Sequence, residues 1–368
     1  MAKVDKNSGN VHKFPYRWTL KDSVFTKDKG KVFSCFACGG GSTMGYKLAG
    51  YDVIGCNEID ERMNEVYVAN HHPKHNFLCD IREMVTMDLP KELYQLDILD
   101  GSPPCSSFST VGVRDRDWGK EKHFREGQRE QVLDALFFDF IDLAKRLQPK
   151  VVIAENVKGL LLGEAFNYVR KIYEAFEDAG YKVVHHLLDA STMGVPQVRE
   201  RVFFVAIRQD LMQYIPTTSD LFYSYPYIDL EFNEPKILFG EVADYQGRPI
   251  NENTKTFTLW SAVEEGDTNL GEPSYRLFGK KTQFSTMLFD VNRVAYTITP
   301  DYHCSLLHKQ NPFYLSDTEI ANCSSFPSDY NYMGQKAGYF CGMSVPPVMM
   351  AQVATRVWEQ WLSKITAL

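Results

Sequence analysis

The sequence lacks several features that would assign it to a broad class at once. No long uncharged apolar run could span a bilayer, and the opening stretch, MAKVDKNSGNVHKFPYRW, is too polar for a signal peptide or a membrane anchor. There is no internal repeat and no low-complexity tract. We therefore expect a folded protein of the cytoplasm that has no membrane partner.

Cysteine is too sparse for a disulfide-rich secreted framework. The eight cysteines are scattered over 368 residues, which predicts reduced thiols. Cys35 and Cys38 form a C-x-x-C that could be a redox or zinc site, but no second pair and no histidine cluster accompanies it. We predict no metal site.

An excess of basic residues is also missing. The net charge is −7 and the isoelectric point is about 5.8, which argues against a protein that coats nucleic acid by bulk attraction. One local basic segment exists, VGVRDRDWGKEKHFR at residues 111–125. Taken alone, it could contact a polyanion or form a solvated charged surface.

What the sequence does contain is a regular alternation of strand and helix patterns. Residues 31–60 read as strand, glycine-rich turn, helix and strand, the opening of a doubly wound α/β sheet, and the alternation continues to about residue 207. We predict an N-terminal arm at 1–30, a catalytic domain at 31–207, a smaller irregular domain at 208–330 and a C-terminal segment at 331–368 that returns to the catalytic domain. The stretch EGQREQVLDALFFDFIDLAKRLQPK predicts a helix that ends at Pro149.

Two sets of polar residues follow predicted strands. Cys105 comes after two prolines at the end of one strand, and Glu155 and Asn156 end another. Each has an ordinary explanation as a tight turn or a helix cap. Together with Arg199 and Arg201, however, a thiol and a carboxyl group at one rim of the sheet suit attack on a polarised ring.

The second set indicates a nucleotide-type cofactor. Gly39, Gly40 and Gly41 form a turn after the first strand, Glu58 could bind ribose hydroxyls, and Asp80 could contact an adenine amine. The glycines alone are also compatible with a turn that binds nothing, or with a nucleotide-dependent oxidoreductase.

These motifs resemble those of the cytosine carbon-5 DNA methyltransferases. They occur in the family's order as FACGGG, NEID, CDI, GSPPC, ENV, QVRER, EIANCSSFP and GMSVPP. The resemblance covers nearly all of residues 31–355, with 208–295 unmatched. It implies a Rossmann-like class I methyltransferase fold, S-adenosylmethionine as cofactor, double-stranded DNA as partner, and an irregular domain that recognises the target sequence. We expect a monomer that meets its DNA in the nucleoid, in a restriction-modification setting.

The resemblance also implies roles for individual residues. Cys105 would attack carbon 6 of cytosine, Glu155 beside Asn156 would engage ring nitrogen 3 and the exocyclic amine, Arg201 would bind the ring carbonyl, and Arg199 would support the site. The implied cofactor contacts are Phe36, Ala37, Cys38, Gly39, Gly41, Glu58, Ile59, Asp80, Ile81, Pro104, Met343 and Ser344.

We expect the basic segment to close over DNA and a few placed residues elsewhere to bind it. The predicted DNA contacts are Ser106, Arg114, Arg116, Lys120, Lys122, Gln197, Lys280, Lys281 and Arg293.

Three positions depart from the usual family pattern. Cys38 stands where glycine is common, Ser106 where glutamine is usual, and Met343 where asparagine normally precedes Ser344. We expect altered or weakened cofactor binding from Cys38 and Met343, which calorimetry would test. Two rival interpretations are a tRNA cytosine-5 methyltransferase and a catalytically silent DNA-binding homologue. A long central region and the intact Cys105, Glu155 and Arg201 favour the DNA enzyme.

Overall fold

The computed structural model describes residues 11–104, 121–122, 131–132, 135–219, 224–279, 286–300 and 306–365. The strands are β1 (Lys31–Cys35), β2 (Asp52–Glu58), β3 (His75–Leu78), β4 (Ile98–Gly101), β5 (Glu121–Lys122), β6 (Gln131–Val132), β7 (Val151–Val157), β8 (Tyr181–Asp189), β9 (Glu200–Arg208), β10 (Thr217–Ser219), β11 (Ser224–Pro226), β12 (Leu288–Phe289) and β13 (Leu307–His308). The helices are α1 (Gly41–Ala49), α2 (Glu61–His71), α3 (Ile81–Thr86), α4 (Leu136–Leu147), α5 (Phe166–Asp178), α6 (Lys255–Ser261), α7 (Gly271–Phe278), α8 (Asp317–Cys323), α9 (Ala337–Met343), α10 (Pro347–Val357) and α11 (Ser363–Ile365).

Seven strands form the central sheet in the order β3-β2-β1-β4-β7-β9-β8. The first five are parallel to one another, and β9 runs antiparallel to both of its neighbours. Because both faces of such a sheet are covered, its inner strands are apolar along their length, as Val151–Ala154 of β7 are. The predicted doubly wound, mostly parallel α/β fold is confirmed.

Helices cover the two faces of this sheet with separate apolar clusters. One cluster joins α3, α4 and α5 to the sheet and includes Phe140 and Phe204. The other joins α1 and α10 to the opposite face and includes Tyr46 and Trp361. The protein therefore has a layer of helices on each side of the sheet, and its carboxyl edge stays open.

The segment before α4 differs from the sequence-based prediction. The predicted helix ends as expected, because Gln148 adopts a left-handed conformation with φ of 51° directly before Pro149. It does not extend back over Gln131–Val132, however, where the backbone pairs antiparallel with Glu121–Lys122. That part of the prediction is wrong, because strand pairing with a segment ten residues away overrides the local helical spacing.

The irregular region contains a small apolar cluster of its own and shares a larger one with the rest of the chain. Ile250, Leu259 and Leu307 belong to the small cluster. The shared cluster joins Phe239 and Phe289 to residues of α1, α2, α8 and α9. The indole of Trp18, in the predicted N-terminal arm, lies in this shared cluster and donates to the Ser325 carbonyl at 2.9 Å. The predicted domain boundaries are not tested by this packing and stay predictions.

Within the described ranges, no helix combines the length and the apolar character that crossing a membrane requires.

Candidate active site

A cavity of about 900 Å³, measured with its open mouth, lies at the carboxyl edge of the sheet. Such an edge is where ligands of open α/β sheets collect, because the loops after β1, β2 and β4 converge there. Eleven of the twelve predicted cofactor contacts line the cavity: Phe36, Ala37, Cys38, Gly41, Glu58, Ile59, Asp80, Ile81, Pro104, Met343 and Ser344. Gly39 does not line the cavity. Its carbonyl accepts a hydrogen bond from the Tyr330 hydroxyl.

Sequence reasoning missed several residues of this lining, among them Asn57 on β2 and the pair Ser34 and Asp100. Ser34 and Asp100 are register partners on β1 and β4. The available signal was a carboxyl group inside the otherwise apolar strand ILDG.

Glu58 is buried at the end of β2 and fixes the turn above it. One carboxylate oxygen accepts from the Cys38 amide at 2.8 Å, and the other accepts from the amides of Ile59 and Asp60 at 2.8 and 2.9 Å. Burial raises the pKa of Glu58, and these three amides oppose the rise. The side chain therefore ties the glycine-rich turn to β2 at the point predicted to hold a ribose.

The glycines of the turn are required by packing against the C-terminal segment and against α2. A Cβ on Gly41 would lie 2.2 Å from the Val345 carbonyl oxygen, and one on Gly40 would lie 2.3 Å from Nε2 of His71. Gly40 also has φ of 74°. The sequence suggested that the backbone of this turn comes close to a ligand. The structure shows that it also comes close to Val345 and His71.

Asp80 caps the amino end of α3 at the cavity. Its carboxylate accepts from the Arg82 amide at 3.0 Å and forms an ion pair with the Arg82 guanidinium at 2.5 Å. The predicted adenine contact would therefore share this carboxylate with Arg82.

Several sulfur atoms lie close to the glycine-rich turn after β1. The Cys38 thiol lies 3.9 Å from the Met63 sulfur and 3.8 Å from the Ser344 hydroxyl, and Met343 lines the cavity beside them. Burial raises the pKa of Cys38 to about 12, and Glu58 adds to the rise. Cys35 and Cys38 are both free thiols, and within the described ranges no group of three or more His, Cys, Asp or Glu residues is placed to hold a metal ion.

Glu155 and Arg201 lie outside the residues that line the cavity and form a close ion pair. Glu155 lies two residues before the end of β7, and the antiparallel β9 brings Arg201 next to it, with Nε 2.9 Å from Oε1. Both side chains keep a small exposed fraction, 10% and 15%. Burial lowers the pKa of Arg201 and Glu155 counters this, so the two side chains form a hydrogen-bonded carboxyl–guanidinium pair.

Asn156 points its amide at the loop that carries Cys105. Its Nδ2 donates to the Pro103 carbonyl at 3.1 Å, and its Oδ1 accepts from the Val157 amide at 2.9 Å. The predicted catalytic Asn156 is therefore placed to hold the Pro-Pro turn.

Arg199 is enclosed by backbone carbonyls. It donates to Ile298 at 3.0 Å, to Gly342 at 2.8 Å and to Ser344 at 3.0 Å, while its Nε has no partner. Burial lowers its pKa to about 9. It binds backbone carbonyls of the segment that carries Ser344 of the cavity lining, and the supporting role predicted for it stays a prediction.

Most predicted DNA contacts lie outside the described residues, as does the predicted nucleophile. These are Cys105, Ser106, Arg114, Arg116, Lys120, Lys280 and Lys281, together with the side chain of Lys122. Arg293 is exposed. Gln197 is 1% exposed, and its amide donates to Ser324 and Cys323 and accepts from Ile298, so in this arrangement it faces the protein interior and not DNA.

Comparison with known sequences finds similarity over almost the whole chain. The family model described as C-5 cytosine-specific DNA methylase matches residues 30–359. Type II methyltransferase M.FnuDI of Fusobacterium nucleatum is 30% identical over 364 residues, which cover 91% of this chain and 96% of that protein. Type II methyltransferase M.NgoPII of Neisseria gonorrhoeae is 27% identical over 366 residues, which cover 91% and 97%.

Among solved structures, the Dnmt2 methyltransferase of S. pombe is similar to this chain with a TM-score of 0.55. The match covers 90% of this chain and 98% of that one, at 16% sequence identity. At this identity the likeness concerns the fold alone.

Proposed function

Since this chain belongs to the C-5 cytosine-specific DNA methylase family and is a DNA cytosine-5 methyltransferase, we propose that it uses S-adenosylmethionine and a covalent Cys105 adduct to methylate a flipped-out cytosine. The observation that carries the proposal is the Glu155–Arg201 pair beside the cavity, with Asn156 holding the turn before Cys105.

The cavity residues fit this cofactor. Phe36 and Ile81 supply apolar walls for a purine, and Glu58 supplies a buried acid beside a turn of backbone amides. When bound, S-adenosylmethionine supplies an electrophilic methyl group on a sulfonium. The protein's part is to hold the nucleoside by these residues and to exclude water.

The chemical steps on the base belong to Cys105, Glu155 and Arg201. The Cys105 thiolate forms a bond to carbon 6 of cytosine, and the ring electrons move toward carbon 5. A proton shared between Glu155 and ring nitrogen 3 stabilises this change, and Arg201 binds the ring carbonyl. Carbon 5 would take the methyl group of S-adenosylmethionine held in the cavity, which would leave as the neutral thioether S-adenosylhomocysteine. Removal of the carbon 5 proton by a base would then let the electrons of that bond expel Cys105 as thiolate.

The setting of Cys105 supports its role as nucleophile. A free thiol is only a few per cent thiolate near pH 7, so its approach must be aimed and its anion stabilised. Two prolines precede it, and the Asn156 amide fixes the Pro103 carbonyl. In the proposed complex the cationic Arg201 would add a positive charge that favours the thiolate.

Base flipping follows from where the reacting atoms must be. Carbon 6 of a stacked cytosine is out of reach of a side chain at a sheet edge, so the base must leave the duplex at a cost of a few kcal/mol. The basic segment at 111–125 is the proposed closing loop, and the irregular region is the proposed reader of the flanking bases.

Trapping the adduct tests the proposal. Purified protein is mixed with S-adenosylmethionine and a duplex pool that contains 5-fluorocytosine, whose fluorine replaces the proton that must leave. We expect a denaturant-stable protein–DNA adduct, its absence in Cys105→Ala, and its retention in a Cys341→Ala control, since Cys341 is buried away from the cavity lining.

Three other outcomes would count against parts of the proposal. An adduct that persists in Cys105→Ala would reassign the nucleophile. Duplex binding without any adduct would favour a silent reader, and an adduct on the equivalent RNA pool alone would favour a tRNA enzyme. Sequencing the trapped DNA would give the recognition site.

A further inference from the structure

Asp100 is a carboxyl group in the cofactor cavity that the proposed mechanism does not use. It lies in β4, five residues before Cys105, and is 1% exposed while lining the cavity. β4 neighbours β1 and β7 in the sheet, so Asp100 lies between the glycine-rich turn that follows β1 and the Glu155 end of β7. Asp100 therefore lines the cavity from a central strand of the sheet.

The hydrogen bonds to Asp100 come from neutral groups. One oxygen accepts from the Ser34 hydroxyl at 2.7 Å, and the other accepts from the Tyr46 hydroxyl at 3.2 Å. Both hydroxyl residues are buried. Over the described part of the chain, no lysine, arginine or histidine forms an ion pair with this carboxylate.

The titratable groups that face Asp100 from the surrounding elements are all acids. They are Cys35 on β1, Tyr46 on α1 and Glu155 on β7. Burial raises the pKa of Asp100 to about 7, and Glu155 adds to the rise. A buried carboxylate without a counter-charge is costly, so any cation that enters the cavity next to it gains a partner that the protein itself does not provide.

The methionine end of S-adenosylmethionine carries a sulfonium, an ammonium and a carboxylate, so its net charge is positive. We propose that Asp100 is the counter-anion for the charged methionine end of the cofactor and gives the site its preference for that end over neutral adenosine ligands. This inference rests on the proposed cofactor, and it assigns Asp100 a binding role that none of the sequence motifs suggested.

A purely structural role predicts a different outcome. If the Ser34 and Tyr46 hydrogen bonds serve only to join β1, β4 and α1, Asp100→Asn should lower the unfolding temperature of the free protein and weaken every ligand alike. If Asp100 is an unpaired counter-anion, the neutral amide should leave the free protein as stable or more stable, and only charged ligands should lose affinity.

Calorimetry with two ligands separates these cases. S-Adenosylmethionine and 5′-methylthioadenosine share the adenosine part, but the second has no charged end. At pH 7.5 we expect Asp100→Asn to bind S-adenosylmethionine about tenfold more weakly or worse, and methylthioadenosine within about twofold of the wild type. Glu58→Gln is the matched control: it removes a carboxylate from the same cavity but should weaken both ligands similarly.

A third ligand identifies which positive charge is involved. S-Adenosylhomocysteine keeps the ammonium and lacks the sulfonium. A larger loss for S-adenosylmethionine than for S-adenosylhomocysteine in Asp100→Asn supports pairing with the sulfonium, and equal losses for the two support pairing with the ammonium.

The inference is overturned if Asp100→Asn binds S-adenosylmethionine as tightly as the wild type, or if it loses all ligands together with a lower unfolding temperature. If the wild type binds none of the ligands, the proposed cofactor fails, and the inference fails with it.

If Asp100→Asn does not fold, a measurement on the wild type alone still tests the inference. In two buffers of different ionisation heat at pH 6.5, S-adenosylmethionine should release protons on binding and methylthioadenosine should release fewer. Equal release for both ligands would contradict the role of Asp100.

Discussion

At the residue scale, the buried Asp100 links stability to pH in a direction opposite to most carboxyl groups. Burial raises its pKa from 3.8 to about 7, so the folded protein keeps a proton that the unfolded chain has lost. Between these values stability falls as pH rises. Relative to wild type without ligand, we expect Asp100→Asn to become progressively more stable from pH 5 to pH 8, in chemical denaturation.

An exposed aspartate provides the control for this titration. Hydrogen bonding to Arg208 lowers the pKa of Asp210, so its stabilising contribution is present above the unfolded value and is lost as pH falls through the folded one. Asp210→Asn should therefore lower stability by a small amount that stays constant from pH 5 to pH 8. A constant stability difference between Asp100→Asn and wild type across this range would contradict the assignment.

Also at the residue scale, the contact of Asn156 with Pro103 predicts a catalytic effect without a binding effect. Asn156→Ala removes the donor that holds the Pro103 carbonyl, two residues before the nucleophile. We expect adduct formation on 5-fluorocytosine DNA to slow by about tenfold to a hundredfold, because a small misplacement of a nucleophile is costly. Calorimetric affinity for S-adenosylmethionine should change little.

The exposed Asn292 gives a matched substitution. Asn292→Ala removes the same side chain where it is exposed and should leave the rate of adduct formation unchanged. If Asn156→Ala reacts at the wild-type rate, the turn is held by other contacts.

At the element scale, the packing of α1 against the segment before α10 depends on the absence of a side chain at Gly41. A Cβ there would lie 2.2 Å from the Val345 carbonyl and 2.8 Å from the Ser344 Cβ, and both residues line the cavity. We expect Gly41→Ala to cost about 1–3 kcal/mol of unfolding free energy, measured by denaturant titration, and to weaken cofactor binding.

Gly266 offers the comparison, because it has nothing within 4 Å of an added Cβ and no positive φ. Gly266→Ala should be neutral or slightly stabilising. Equal stability of the two variants would mean that the C-terminal segment can shift without a loss of unfolding free energy.

At the scale of the whole molecule, Arg199 ties together parts of the chain that are far apart in sequence. From the start of β9 it donates to Ile298 near the end of the irregular region and to Gly342 and Ser344 at the cavity. Arg199→Met would leave three buried carbonyls without this donor, so we expect a loss of about 3 kcal/mol or more and a lower affinity for the cofactor. Thermal unfolding and calorimetry measure the two effects.

Arg208→Lys tests whether replacing any arginine next to or within β9 lowers stability as much as Arg199→Met does. Arg208 pairs with the exposed Asp210. Its replacement should change stability by less than about 0.5 kcal/mol. A similar loss in both variants would mean that the effect of Arg199→Met does not come from its carbonyl contacts.

The sequence by itself determined the α/β alternation and the motifs at the strand ends. Both depend on short-range features: apolar periodicity gives strands and helices, and polar residues that directly follow an apolar run must lie at a strand end. The full set of twelve cofactor contacts came from the resemblance of these motifs to the cytosine carbon-5 DNA methyltransferases, and eleven of them line one cavity.

Only the tertiary structure decided which of these residues meet. The antiparallel direction of β9 brings Arg201 to Glu155, and the packing around Gln197 turns a predicted DNA contact toward the interior. The need for glycine at Gly41 comes from Val345, about three hundred residues away, and the cavity position of Asp100 comes from its register with Ser34. Such contacts depend on how distant segments pack, and no local pattern of residues encodes that.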